Sequence, residues 1–194
     1  MAGYTDAERE RLRSWNDAFR HDPLFEITSD PVPFYNCIGF AMGMTDVCVA
    51  LGNSARINWQ WWPPTAHRDM NPNSLVEAFT YFGFEDCGMD DTIDPDYDKV
   101  ALYSKAGEWT HAAWIDEENV YHSKLGAQYD ITHGPGAIFH ETCYGDIYKY
   151  MKRLKTDAHI TADRKPKTGF MRYEGKIYAV MEDHGKNCGY VRIA

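Results

Sequence analysis

The stretch Tyr35-Asn36-Cys37-Ile38-Gly39-Phe40-Ala41-Met42-Gly43 decides how this chain is read. It is compact and apolar, and it follows a turning approach that contains Pro31 and Pro33. The reading is a short buried helix with Cys37 near its first turn. Two glycines cost such a helix roughly 1 kcal/mol each relative to Ala, and in return they permit close backbone packing. A thiol at a helix start meets unpaired amide N–H groups and the positive end of the helix dipole, which favour the thiolate. The same amides can hold a developing oxyanion. Asn36 either caps this helix or donates its side-chain amide to that oxyanion.

Towards the N-terminus, Thr5-Asp6-Ala7-Glu8 has the form of a capping box. Leu12, Trp15 and Phe19 then share one face, which predicts a helix from Asp6 to Arg20. Towards the C-terminus, Val47–Leu51 is apolar and leads into Trp59, Trp61, Trp62, Pro63 and Pro64. That cluster reads as a hydrophobic plug or, through Trp62, as the wall of a substrate groove. Ser74-Leu75-Val76-Glu77 is a second capping box, opening a helix that should end at Gly83. Beyond the acidic stretch Glu85–Asp98 the hydrophobic period changes to two. Lys99–Ser104, Trp109–Ile115 and Asn119–Leu125 read as strands of an antiparallel meander. Tyr144–Leu154 is a further strand or a short helix, Gly169–Val180 a hairpin around Glu174-Gly175-Lys176, and Cys188–Ile193 an edge strand. The predicted fold class is α+β. One domain spans residues 1–154, with the helix at 5–21 included, and a basic, β-rich extension at 155–194 packs on it. Lys155–Lys167 reads as the linker.

Composition narrows the function. The chain has 194 residues, 44% hydrophobic and 25% charged, a globular profile without a membrane-spanning apolar run. Its net charge of −9 disfavours nucleic acid as a partner. The charge is uneven: residues 1–150 carry 10 basic and 24 acidic side chains, residues 151–194 carry 10 and 5. The start lacks an apolar signal core, which predicts a cytoplasmic protein or one exported without a Sec signal. Five widely spaced cysteines, with no CxxC or HxxxH pair, read as reduced thiols and give no zinc site. Asp94, Asp96 and Asp98 start like a calcium loop, but Lys99 and Lys105 occupy the positions that need Gly and Glu. No metal or organic cofactor is expected.

His111 lies inside a predicted strand, and an imidazole brought to a thiol supplies a general base and acid. The hairpin after it sets the third member. Pairing Asp116 with Asn119 makes His111 face Lys124, with His122 on the same face, whereas a one-residue bulge brings Ser123 opposite His111. Ser123 and His122 can accept the imidazole proton, and a protonated Lys124 cannot. Lys124 is instead a candidate for substrate contact.

Asn36–Ala41 followed by Thr110-His111-Ala112-Ala113 resembles a papain-like cysteine hydrolase in its minimal bacterial form, of the NlpC type or the transglutaminase-like type. The string Asn36–Ala41, Trp61–Pro63, Lys99–Tyr103, Thr110–Ala113, Ser123–Gly126 and Asp130–His133 is similar to an uncharacterised bacterial domain family, over roughly Tyr35 to Tyr150. Phe40 replaces the usual Trp, and the Asn or Asp that usually orients the histidine is missing. The resemblance implies a papain-like core, a Cys37 nucleophile and a His111 base acting on a protein, peptide or other amide substrate. Deamidation and transglutamination use the same parts, and a bacterial effector is a fitting setting. A binding module that keeps the scaffold with a structural thiol is the rival.

Overall fold

The computed structural model describes residues 4–51, 60–136, 144–183 and 186–192. Trp59, His140, Cys143 and His184 lie outside them. Helix α1 (Asp6–Trp15) opens with the predicted capping box: Thr5 accepts from the Glu8 amide, and Glu8 reaches back to the Thr5 amide. The predicted single helix is two. Asn16 turns extended, and its side chain accepts from the Ala18 amide, so α2 (Ala18–His21) starts anew. Strand β1 (Glu26–Ser29) precedes α3 (Cys37–Ala41), and β2 (Cys48–Val49) pairs in parallel with β3 (Gln60–Trp61). Helix α4 (Pro72–Tyr81) starts earlier than expected. Asn71 is its cap and Pro72 occupies the first turn, while Glu77 is drawn to His67. Gly83, in the left-handed region at φ +84°, closes its end as predicted.

The large sheet contains β1, β4 (Glu85–Asp86), β5 (Tyr97–Lys105), β6 (Glu108–Ile115), β7 (Tyr121–Lys124), β8 (Asp130–His133) and β9 (Asp146–Leu154). Their order is β1-β8-β7-β6-β5-β9-β4, and every pairing is antiparallel. The meander from β5 to β8 follows the period-two reading, and Tyr144–Leu154 resolves as a strand beside β5. The protein is therefore an α+β molecule built around an antiparallel sheet.

Alternation along the strands gives the sheet two apolar faces. Val100, Leu102, Ala112 and Met151 pack with α3 and α4 through Cys37, Ile38, Leu75, Phe79 and Phe82. Ala101, Tyr103, Ala113, Ile115, Tyr121 and Ile131 pack with α1 and α2 through Leu12 and Phe19, and with Phe25 just after α2. The predicted linker is structured: a short helical turn at Lys155–Asp157 leads into α5 (His159–Arg164), where Thr161 donates to the Met42 carbonyl at 3.0 Å. The last unit is a three-stranded sheet of β10 (Lys167–Tyr173), β11 (Lys176–Asp183) and β12 (Lys186–Arg192). Ala179 and Met181 of β11 join the α3-side core, and Trp61 donates to Asp183 at 3.0 Å.

Candidate active site

Asn36 builds the start of α3. Its side-chain oxygen accepts from the amides of Gly39 and Val49, both at 3.1 Å, and its amide donates to the Val49 carbonyl at 2.8 Å. The capping role is the one the structure displays, and it ties α3 to β2. Gly39 is needed for close approach, since a Cβ there would stand 2.4 Å from the Val47 carbonyl oxygen.

These constraints fix Cys37 as the first residue of α3, 8% exposed. Strands β6 and β7 pair only at Trp114–His122 and Ile115–Tyr121, so the ladder is open beyond. Helix α3 packs against both strands. Cys37 packs in the same core cluster as Ala112, the residue that follows His111. Burial pushes the thiol up to about 11, and the amides of Ala112, Ile38 and Cys37 itself pull the other way. Cys37, Cys48 and Cys87 are free thiols.

His111 is fully buried, and burial, with His133 second, holds its pKa well below the ordinary value. Its Nε2 lies 2.9 Å from Ser123 Oγ, and its Nδ1 has no hydrogen-bond partner. The Tyr144 ring stacks on the imidazole at 4.0 Å, and Tyr103 meets it edge-on at 5.4 Å. Both His111 and Ser123 are fully buried, so bulk water does not reach their contact. Ser123 Oγ also lies 2.8 Å from Nε2 of His133, whose Nδ1 is 2.8 Å from the Gly134 carbonyl. Burial lowers His133 to about 4, with the Gly134 carbonyl and Asp22 opposing.

The structure thus brings His111, Ser123 and His133 together, places Cys37 with its Asn36 cap in the core beside Ala112, and corrects three other assignments. Asp116 pairs with Val120, and Asn119 occupies the left-handed region at φ +60°. This three-residue turn replaces the symmetric pairing and shifts the register by one. His122 and Lys124 therefore lie on the opposite face from His111. His122 bonds Asp116 at 2.9 Å and stacks on Trp114 at 3.7 Å, so it does not orient His111. Lys124 is fully buried, donating to the Gln128 carbonyl, facing Asp130 at 3.4 Å and lying 4.6 Å from the Tyr35 ring centre. It has no surface to offer a substrate. Trp62 is 3% exposed, stacked on Trp109 at 5.6 Å and bonded to the His67 carbonyl, which is a plug and not a groove wall.

The sequence reading did not single out His133, which bonds Ser123, or Tyr144, which stacks on His111. His133 stands opposite Tyr121 in the β7–β8 ladder, and Ser123 opposite Ile131, so alternation puts Ser123 and His133 on one face. That register was the available signal. Tyr144 follows residues 137–143, and no sequence pattern pointed to its stacking. A cavity of ≈ 440 Å³ lies at the other end of α3, among Phe40, Tyr97, Asp98, Trp114 and Arg153, and does not reach Cys37. Among the described residues, no cluster of three or more His, Cys, Asp or Glu side chains is placed to hold a metal, and no helix is long and apolar enough to cross a membrane.

Residues 26–152 match the model of a domain of unknown function, DUF7689. The chain belongs to that family, and the match contains every residue of the cluster around Cys37. No curated protein and no solved structure matches the chain.

Proposed function

We propose that the protein is a cysteine-dependent amide hydrolase with a papain-like core. One observation carries this reading. Cys37 shares a core cluster with Ala112, the neighbour of His111, and the Ala112 amide lowers its pKa, while His111 has Nε2 at 2.9 Å from Ser123 Oγ and Nδ1 without a partner.

The opposed shifts of thiol and imidazole make the resting pair neutral. Attack then couples to proton transfer. The Cys37 S–H proton moves to Nδ1 of His111 as the S–C bond forms and the carbonyl π pair moves to oxygen. The Cys37 backbone amide donates to that oxyanion, because the side chain of Asn36 is engaged by α3 and β2. The imidazolium gives its proton to the leaving amine as the C–N bond breaks. Water resolves the thioester with His111 again as base. An amine in place of that water gives acyl transfer.

A second reading, a binding module with a structural thiol, draws support from the burial that raises the Cys37 pKa. Peptidyl vinyl sulfones, read by intact and site-resolved mass spectrometry, separate the two. The hydrolase gives an adduct on Cys37 that is lost in His111→Ala. A Cys37 left unmodified while Cys87 reacts with a small alkylator favours the binding module.

A further inference from the structure

We propose that His133 is a positioning residue for the Cys37–His111 pair: through Ser123 it holds His111 as the Nε2–H tautomer, leaving Nδ1 as the proton acceptor. The inference rests on the hydrolase reading for its catalytic meaning, but the proton order follows from hydrogen-bond chemistry alone. A carbonyl oxygen only accepts, so His133 Nδ1, 2.8 Å from the Gly134 carbonyl, carries a hydrogen. A neutral imidazole carries one N–H, so Nε2 of His133 is a bare acceptor. The Ser123 hydroxyl, 2.8 Å away, must donate its only hydrogen there. Its oxygen can then only accept at the 2.9 Å contact with His111, so Nε2 of His111 bears the hydrogen. Nδ1 of His111 is left with its lone pair and no partner.

Each link is rigid. Ser123, His111 and His133 are all fully buried, so no bulk water offers an alternative partner. Asp22 accepts from the Gly134 amide at 2.6 Å, which anchors the residue whose carbonyl starts the chain. Without His133 the Ser123 hydroxyl is free to donate to His111 Nε2. That stabilises the Nδ1–H tautomer, which cannot take a proton from the thiol. Ser123 thus stands where papain-like enzymes use Asn or Asp, and His133 supplies the direction that a hydroxyl by itself lacks.

The test uses the full chain labelled with ¹⁵N-histidine and long-range ¹H–¹⁵N correlation at neutral pH. Wild type should show His111 protonated on Nε2 and His133 on Nδ1. In His133→Phe the His111 signals should move towards the Nδ1–H form. His133→Gln, whose side-chain carbonyl can accept from Ser123, should restore them. Should His133→Phe not fold, Ser123→Ala breaks the same link and should release the His111 tautomer. An Nδ1–H His111 in the wild type overturns the proposal, as does an unchanged Nε2–H His111 in folded His133→Phe or Ser123→Ala. Vinyl sulfone labelling of Cys37 reports on the hydrolase separately. An inert Cys37 with a His111 tautomer that follows His133 refutes the hydrolase and supports the relay. A reactive Cys37 with a His111 tautomer indifferent to His133 does the reverse.

Discussion

Lowering the pH should unfold this protein through its buried histidines before its carboxylates matter. His133 is fully buried, and its pKa is lowered from 6.5 to about 4 by burial. A group depressed in the folded state favours folding while both states are neutral, above the unfolded value. As pH falls below 6.5 the unfolded chain binds a proton that the folded chain refuses, and stability falls until pH reaches about 4. At about 1.36 kcal/mol per unit, the difference is about 3 kcal/mol from His133, and His111 adds a loss of the same sign. That is a large share of a typical domain stability of about 5–15 kcal/mol. The depressed carboxylates, such as Asp116 and Glu77, lose their contribution only as pH falls through their lowered values. His67 acts oppositely, because Glu77 raises its pKa, but it is exposed and common to both proteins compared. The assay is urea unfolding across this acid range for wild type and His133→Gln. Wild type should lose stability more steeply by about 3 kcal/mol over the full window. Equal pH slopes for the two proteins would refute the reasoning.

Further expectations concern α3 and its surroundings. Gly39→Ala places a Cβ 2.4 Å from the Val47 carbonyl oxygen, so it should cost about 1–3 kcal/mol in urea unfolding. Asn36→Ala removes the α3 cap and both Val49 bonds, and should cost about 2 kcal/mol or more. Lys124→Met leaves the buried Asp130 carboxylate without its cation and should cost about 3–5 kcal/mol, while adding Asp130→Asn should recover part of the loss. If the double variant is as unstable as the sum of the singles, the two side chains are not coupled.

The readable parts of the sequence were those governed by local rules. Asn36 before an apolar run marked the α3 cap, and the alternation of Lys99–Ser104 and Trp109–Ile115 marked the paired strands β5 and β6. Cys37, His111 and Ser123 lie on α3, β6 and β7, the helix and strands that the local patterns marked. The errors came where one residue of register or one competing partner decides. Asn119 accepts a left-handed conformation and Asp116 takes the amides of Glu118 and Val120, so the β6–β7 turn holds three residues. That shift moved His122 and Lys124 to the other face and put Ser123 on the face of His111. Ser74 lost the cap of α4 to Asn71 because Pro72 suits a first helical turn, and because Glu77 binds His67. The contact between β7 and β8 that recruits His133 depends on pairing between strands, which a local pattern does not carry.

The central claim is that His111 activates Cys37, and the pH profile of Cys37 alkylation by iodoacetamide tests it most directly. The rate should be read by site-resolved mass spectrometry from about pH 5 to about pH 9, in wild type and His111→Ala. A thiol held at about 11 without a base is roughly one part in ten thousand thiolate at pH 7, and its rate climbs about tenfold per pH unit. Proton transfer to a neutral His111 removes that dependence, so the account predicts a near-flat wild-type rate across this range and a tenfold-per-unit slope in His111→Ala. A wild-type profile that already climbs tenfold per unit, unchanged by His111→Ala, would contradict it.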